Sequence, residues 1–235
     1  VPAVRVSLRG VEVRRGEWTL SADGVFGEGR HLVTGPVGSG KSTLALLLAG
    51  IAAPDRGTVT REGAGPLLLS LPFPEHHSTG AIVGEEIASW GVEEEPVLSA
   101  AGLEGRSPEA LFRLSRGELK RLHLACVLAR RWDLLLLDEP YTALDCPGRE
   151  ALSARLSAPP AATTVIFTHA RESLPRVDRL WEIREGDLVD LGPVREAIPL
   201  WSSPPSYLRI AREEGVTPAN ISVEDVREAL CRTDG

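Results

Sequence analysis

The sequence predicts an α/β fold with a largely parallel sheet, and three runs of residues carry that expectation. Residues 30–34 are short and partly apolar; they lead into Gly35-Pro36-Val37-Gly38-Ser39-Gly40-Lys41-Ser42-Thr43 and then into a helix-forming run over 44–50. Four consecutive leucines, Leu134 to Leu137, end in Asp138 and Glu139, the pattern of a strand buried on both faces of a parallel sheet. A β-branched run, Val165-Ile166-Phe167-Thr168, ends at His169.

Taken in chain order, residues 4–33 alternate apolar and polar (Val4, Val6, Leu8; Val11, Val13) between glycines, which predicts antiparallel strands. The loop that follows fits G-x-x-x-x-G-K-[ST] at every fixed position, in the strand–loop–helix context in which that motif binds phosphate. Its glycines let backbone N–H groups close around phosphate oxygens with no Cβ in the way. Lys41 adds a point charge, the helix N-terminus adds its dipole, and Ser42 is placed to put its hydroxyl on Mg²⁺. This makes the chain a nucleotide-binding one. A Pro54-Asp55-Arg56-Gly57 turn and a strand at Leu67-Leu68-Leu69 come next, then a largely helical stretch over 75–132. Carboxylates at the C-terminal end of the Leu134 strand emerge at the crevice where α/β sheets bind ligands. There Asp138 is expected to hold Mg²⁺ and Glu139 to polarise an attacking water. Strand and helix then alternate to about residue 192. Beyond residue 200, Pro204 and Pro205 mark a linker, 206–214 reads as a short helix, and Ser222 with Asp225 opens another whose Val223, Val226 and Leu230 share one face.

The chain's 235 residues suffice for one α/β domain with a small appendage. A net charge of −7, with no basic stripe, argues against nucleic acid as a partner. No apolar run approaches the roughly 18 residues of a spanning helix, so work at a membrane requires another subunit to do the spanning. Cys126, Cys146 and Cys231 lack C-x-x-C spacing and read as reduced thiols, one in a helix and two at the surface. His76 and His77 lack the further ligands of a metal site. With no Gln, one Asn, and two lysines against 24 arginines, the composition points to a heat-adapted prokaryote with a GC-rich genome.

Further motifs resemble those of the ATP-binding subunit of ABC transporters. Leu114-Ser115-Arg116-Gly117-Glu118 looks like that family's signature loop, LSGGQ, and begins 24 residues before Asp138. Thr142-Ala143-Leu144-Asp145 resembles the D-loop, and His169 the switch histidine. The resemblance implies a P-loop NTPase (RecA-like) core with an antiparallel β subdomain and a small α-helical subdomain. It divides the chain into a core over 1–74 and 134–199, a helical subdomain over 75–133 and a helical tail over 200–235. It also implies two subunits closing head to tail around two ATP molecules. In each site one chain's loop (Gly35 to Thr43) would face the other's Ser115, Gly117 and Glu118, and His169 would contact the γ-phosphate. The partner chain is then a copy or a second ABC ATPase, and both sit with a transmembrane transporter subunit at the cytoplasmic face of the membrane.

The family's pattern is not kept everywhere. Its Mg²⁺-contacting Gln falls at Pro72, which has no side-chain carbonyl and no backbone donor. The adenine-stacking aromatic falls near Arg14 and Arg15; an Arg15 guanidinium can stack on a base, with Trp18 as a second candidate. Arg116 replaces the first signature glycine and Glu118 the Gln. The tail, with Pro-Pro-Ser-Tyr-Leu-Arg-Ile-Ala-Arg and Ile-Ser-Val-Glu-Asp-Val, looks like that of energy-coupling-factor ATPases, which feed vitamin and metal uptake. The resulting expectation is an ATP-hydrolysing importer subunit of that type. The alternatives are a soluble ABC-type ATPase not linked to transport and a nucleotide-switched binding module with little hydrolysis.

Overall fold

The computed structural model describes residues 4–63, 65–159 and 161–232; residues 1–3, 64, 160 and 233–235 of the expected divisions lie outside these. The chain opens with β1 (Arg5–Arg15), β2 (Trp18–Phe26) and β3 (Gly29–Thr34), then α1 (Lys41–Ala49), β4 (Arg56–Glu62) and β5 (Leu67–Ser70). Three helices follow, α2 (Val83–Ser89), α3 (Glu94–Ala101) and α4 (Arg116–Ala129). The second half runs β6 (Trp132–Asp138), α5 (Cys146–Leu156), β7 (Ala161–Thr168), β8 (Arg179–Arg184), β9 (Asp187–Pro193), α6 (Val194–Ala197), α7 (Ser206–Glu213) and α8 (Val223–Cys231).

Among the described residues, all nine strands join one sheet in the order β4-β1-β2-β9-β8-β3-β7-β6-β5. From β8 to β5, neighbouring strands are parallel. At the other end β4, β1 and β2 are antiparallel. The two regions meet at a narrow seam, where β2 and β9 pair in parallel only at Ser21↔Asp187 and Ala22↔Leu188.

The residues that predicted two N-terminal strands form one. Val6 and Leu8 are buried at even positions and Val11 and Val13 at odd ones. The register shifts between Leu8 and Val11, around Gly10 with φ +55°. An irregularity of this kind reverses which parity faces the core, so the sequence alternation breaks although the strand continues. β3, in contrast to the antiparallel expectation for 4–33, pairs in parallel on both sides.

The leucine strand is buried on both faces. Leu134 and Leu136 join the core beneath α1 with Leu44 and Leu48, while Leu135 and Leu137 pack into the opposite core with Val127 and Leu156. A third core belongs to the helices: Val83, Ile87, Val97 and Leu103 close on Leu122 and Cys126 of α4. Truncating a fully buried leucine such as Leu136 to Ala costs about 2–5 kcal/mol. Among the described residues no helix is long and apolar enough to cross a membrane.

Ser222 caps α8 as expected, accepting from the Asp225 N–H. The expected short helix over 206–214 is present as α7, and Leu230 packs with Val226 against one core; two details of the tail differ. Val223 is 43% exposed and does not share the buried face with Val226. The Asp225 carboxylate does not turn back to the Ser222 N–H; it takes two hydrogen bonds from Arg176, at 2.9 and 2.7 Å, and one from the Ser222 hydroxyl. Asn220 adds a second tie, accepting from the Val177 N–H and donating to the Val177 carbonyl.

Candidate nucleotide site

Strand order assembles the site. β7 lies between β3 and β6, in register with both: Thr34 pairs with Thr168 and Asp138 with Phe167. The C-terminal ends of three adjacent strands therefore carry the glycine loop, His169, and Asp138 with Glu139 to one edge. The Glu139 N–H donates to the Phe167 carbonyl at 2.8 Å and fixes that alignment.

The glycine loop wraps over the start of α1. Gly40 caps the helix at φ +105°, with no side chain bonded to the N-terminal N–H groups. A Cβ on Gly40 would lie 2.5 Å from the Trp18 ring, and one on Gly35 would lie 2.7 Å from Ser39 Oγ. Uncapped N–H groups behind a turn that only glycine can make form an anion cradle. Lys41 is buried and spans this loop, its Nζ donating to the Gly35 and Pro36 carbonyls at 2.9 Å each. Burial lowers the ammonium's pKa, partly offset by Glu139, whose Oε1 lies 3.6 Å away.

Glu139 has a left-handed backbone, φ +47°, uncommon and strained for a residue with a Cβ. That conformation turns its carboxylate toward β7. Oε2 accepts from the Thr168 hydroxyl at 2.9 Å, and Oε1 from His169 Nδ1 at 2.7 Å and from the His169 N–H at 3.1 Å. The expected water-activating carboxylate, the expected switch histidine and the loop lysine thus form one cluster.

Asp138 sits 1% exposed beside Ser42, and neither carboxylate oxygen has a hydrogen-bond partner of its own. Burial pushes its pKa up. Ser39 Oγ is likewise buried without a partner. Buried oxygens left in this state cost free energy unless something meets them. A hard divalent cation with oxygen ligands fits this pair of Ser42 and Asp138, and triphosphate oxygens fit the uncapped loop.

A cavity of about 480 Å³ opens over Gly38, Gly40 and Lys41 to Thr43, closed by Arg15, Trp18, Pro72, Phe73 and Glu139. Arg15 and Trp18 face each other across the end of the β1–β2 hairpin, so both base-side candidates are at the cavity wall. Arg15 is exposed and donates to the Arg14 carbonyl; Trp18 packs against Gly40. Val37 is 80% exposed at the loop tip.

Ser115, Gly117 and Glu118 line no part of this cavity. They open α4 in a complete capping box: Ser115 Oγ accepts from the Glu118 N–H, and the Glu118 carboxylate accepts from the Ser115 N–H. Arg106 clamps the same carboxylate together with Glu109, and this pairing draws the Glu118 pKa down to about 2. Gly117 lies against the Ala143 carbonyl, which a Cβ would approach at 3.0 Å. Asp145 caps α5 through the Gly148 N–H.

Sequence reasoning missed Thr168 and Arg106, and it missed Lys120 and His123, which hold the far wall of the cavity. Their signal was present in the sequence: two polar residues one turn apart amid Leu119, Leu122 and Leu124.

The protein-family model described as ABC transporter matches residues 25–142. An ABC transporter ATP-binding protein of Halobacterium salinarum is 35% identical, over 83% of this chain and 97% of that one. The biotin transport ATP-binding protein BioM of Rhodobacter capsulatus is 32% identical over 78% and 91%. Among solved structures, cbiO1 from Clostridium perfringens, part of the ABC transporter complex cbiONQ, shares the fold. Its TM-score is 0.61 at 20% identity, covering 78% of this chain and 86% of that one.

Proposed function

This chain belongs to the ABC transporter ATP-binding family, and from that membership we propose that it is the ATP-hydrolysing subunit of an importer of energy-coupling-factor type. It acts at the cytoplasmic face of the membrane through a separate transmembrane subunit. One observation carries the catalytic part of this reading: Glu139 lies 3.6 Å from Lys41 and 2.7 Å from His169 at the mouth of an uncapped glycine loop. The loop from Gly35 to Thr43 binds the phosphates through its N–H groups, and Arg15 or Trp18 stacks on the base. Magnesium, held by Ser42 and Asp138, supplies charge to the phosphate oxygens when bound. Glu139 leaves Lys41, orients a water and accepts its proton. His169 then turns to the γ-phosphate and steadies the charge that develops there.

A single chain lacks the signature residues at its own cavity, which supports closure of two chains head to tail, Ser115, Gly117 and Glu118 of one completing the site of the other. The tail motifs support the energy-coupling-factor assignment, as does similarity to a protein named for transport of a vitamin. Lys41→Ala tests the site: affinity for ATP-Mg by calorimetry is expected to fall by on the order of 10²-fold, since the phosphates lose their close cation. Unchanged affinity sinks the assignment. Co-purification of the tagged chain with integral membrane proteins tests the transport reading.

A further inference from the structure

Lys120 is 0% exposed and carries a charge that nothing in the proposed reaction uses. Its Nζ donates to the Pro72 carbonyl at 2.9 Å. One turn further along α4, His123 Nε2 meets Ser70 Oγ at 2.9 Å. Between those contacts, the Leu71 N–H donates to His77 Nε2 at 3.2 Å, and the His77 ring stacks on His123 at 5.1 Å. The segment leaving β5, which becomes the Pro72–Phe73 wall of the cavity, is thus stitched to one face of α4. Ser115 caps that helix.

We propose that Lys120 and His123 are positioning residues for ATP turnover, binding the Pro72 wall of the nucleotide cavity to the helix that carries the signature residues so that the two move together. The proposal rests on the reading of the site given above. Pro72 has no amide hydrogen and no polar side chain, so its carbonyl is the one group by which the wall can be held there. An ammonium is a strong donor to it, because the bond is charge-assisted and shielded from water. Burial disfavours the charged lysine, and Asp138 and Glu139 at the end of β6 with Glu75 beside the wall offset part of that. His77 and His123 lie beside it, and His123 is held neutral by its own burial, so Lys120 is the one cation of the stitch. When a second chain closes on the nucleotide and shifts α4, the wall follows, and Pro72 serves by attachment where a reaching side chain would serve by contact.

Two variants of the purified full chain test this, Lys120→Met and Lys120→Gln. Methionine keeps the length and removes the donor; glutamine keeps an N–H for the Pro72 carbonyl. Lys120→Met is expected to lower kcat at least tenfold with ATP-Mg affinity within threefold of wild type. Lys120→Gln is expected to recover most of that loss, and hydrogen exchange at Leu71 and Phe73 to rise in the methionine variant alone. Wild-type turnover in Lys120→Met overturns the proposal. So does equal slowing by both variants, or a parallel loss of affinity and turnover, which marks a packing role. Should Lys120→Met fail to fold, Lys120→Gln decides alone: wild-type kinetics and exchange support the bond, and a tenfold loss overturns it. Lys41→Ala run beside them separates the two readings, since intact ATP affinity in that variant refutes the site and not the stitch.

Discussion

Glu139 shows how much a single residue's setting says about its task. Its left-handed backbone costs about 1–3 kcal/mol and is held by the Thr168 hydroxyl, the His169 imidazole and the His169 N–H. On the proposed reading, His169→Ala removes one contact to developing charge. Turnover is then expected to fall on the order of 10²-fold with ATP affinity within a few-fold; equal losses in the two, by calorimetry and steady-state assay, mean a structural role. Lys120 makes a different prediction. Burial draws its pKa from 10.5 to about 8, so between those values the unfolded chain binds the proton and the folded one does not. Wild-type stability therefore rises with pH across that window, and below it the burial costs about 3 kcal/mol. Removing the charge recovers part of this, less about 1–2 kcal/mol for the Pro72 carbonyl left unpaired. Lys120→Met is expected to unfold at a higher temperature than wild type at pH 7, with the advantage gone near the ordinary lysine value; thermal melts across pH check it. That the loop, Asp138, Glu139 and His169 lie at strand ends was legible, because each follows an apolar or β-branched run along the chain. The partner of Lys120 was not, because it is reached only across the fold, 48 residues away.

At the scale of elements, what was legible was local. The Ser222 cap follows from neighbouring residues, as does the two-sided burial of the leucine strand. What escaped was set by distant partners. The Gly10 shift in β1 reads in sequence as a strand end, since alternation fails there, yet the β2 and β4 ladders carry the strand through. Asp225 reads as the reciprocal half of a cap, yet it serves Arg176, 49 residues away. That pair, with Asn220 on Val177, docks the tail onto the segment after His169. Asp225→Ala is expected to cost about 2 kcal/mol, the scale of hydrogen bonds to a charged group, because half-exposed Arg176 can return to water. The melting temperature should then drop by roughly 4–8 °C with ATP affinity unchanged, as a thermal melt and calorimetry would show. A melt equal to wild type means the tail is held by its apolar contacts alone.

The described residues form one sheet with three cores, and on the proposed reading a second chain completes the nucleotide site. If Glu139 polarises the attacking water, Glu139→Gln keeps the shape and removes the charge, so ATP stays bound and uncleaved and the closed pair accumulates. Size exclusion is expected to give a dimer with ATP-Mg and a monomer without it. A variant that dimerises only when a second ABC ATPase is added identifies a heteromeric partner. Hydrolysis at the wild-type rate removes Glu139 from its role. The seam between β2 and β9 has a consequence of its own. On the proposed reading the base lies against Arg15 and Trp18, on the antiparallel side of that two-pair ladder, and the phosphates lie against the glycine loop on the parallel side. A bound nucleotide therefore spans the narrowest join in the sheet like a rivet, its ends fastened to different plates. Loading the site should slow the opening of that join far from any reacting atom, leaving the amides of Ser21 and Ala22 exchanging more slowly when ATP is in place.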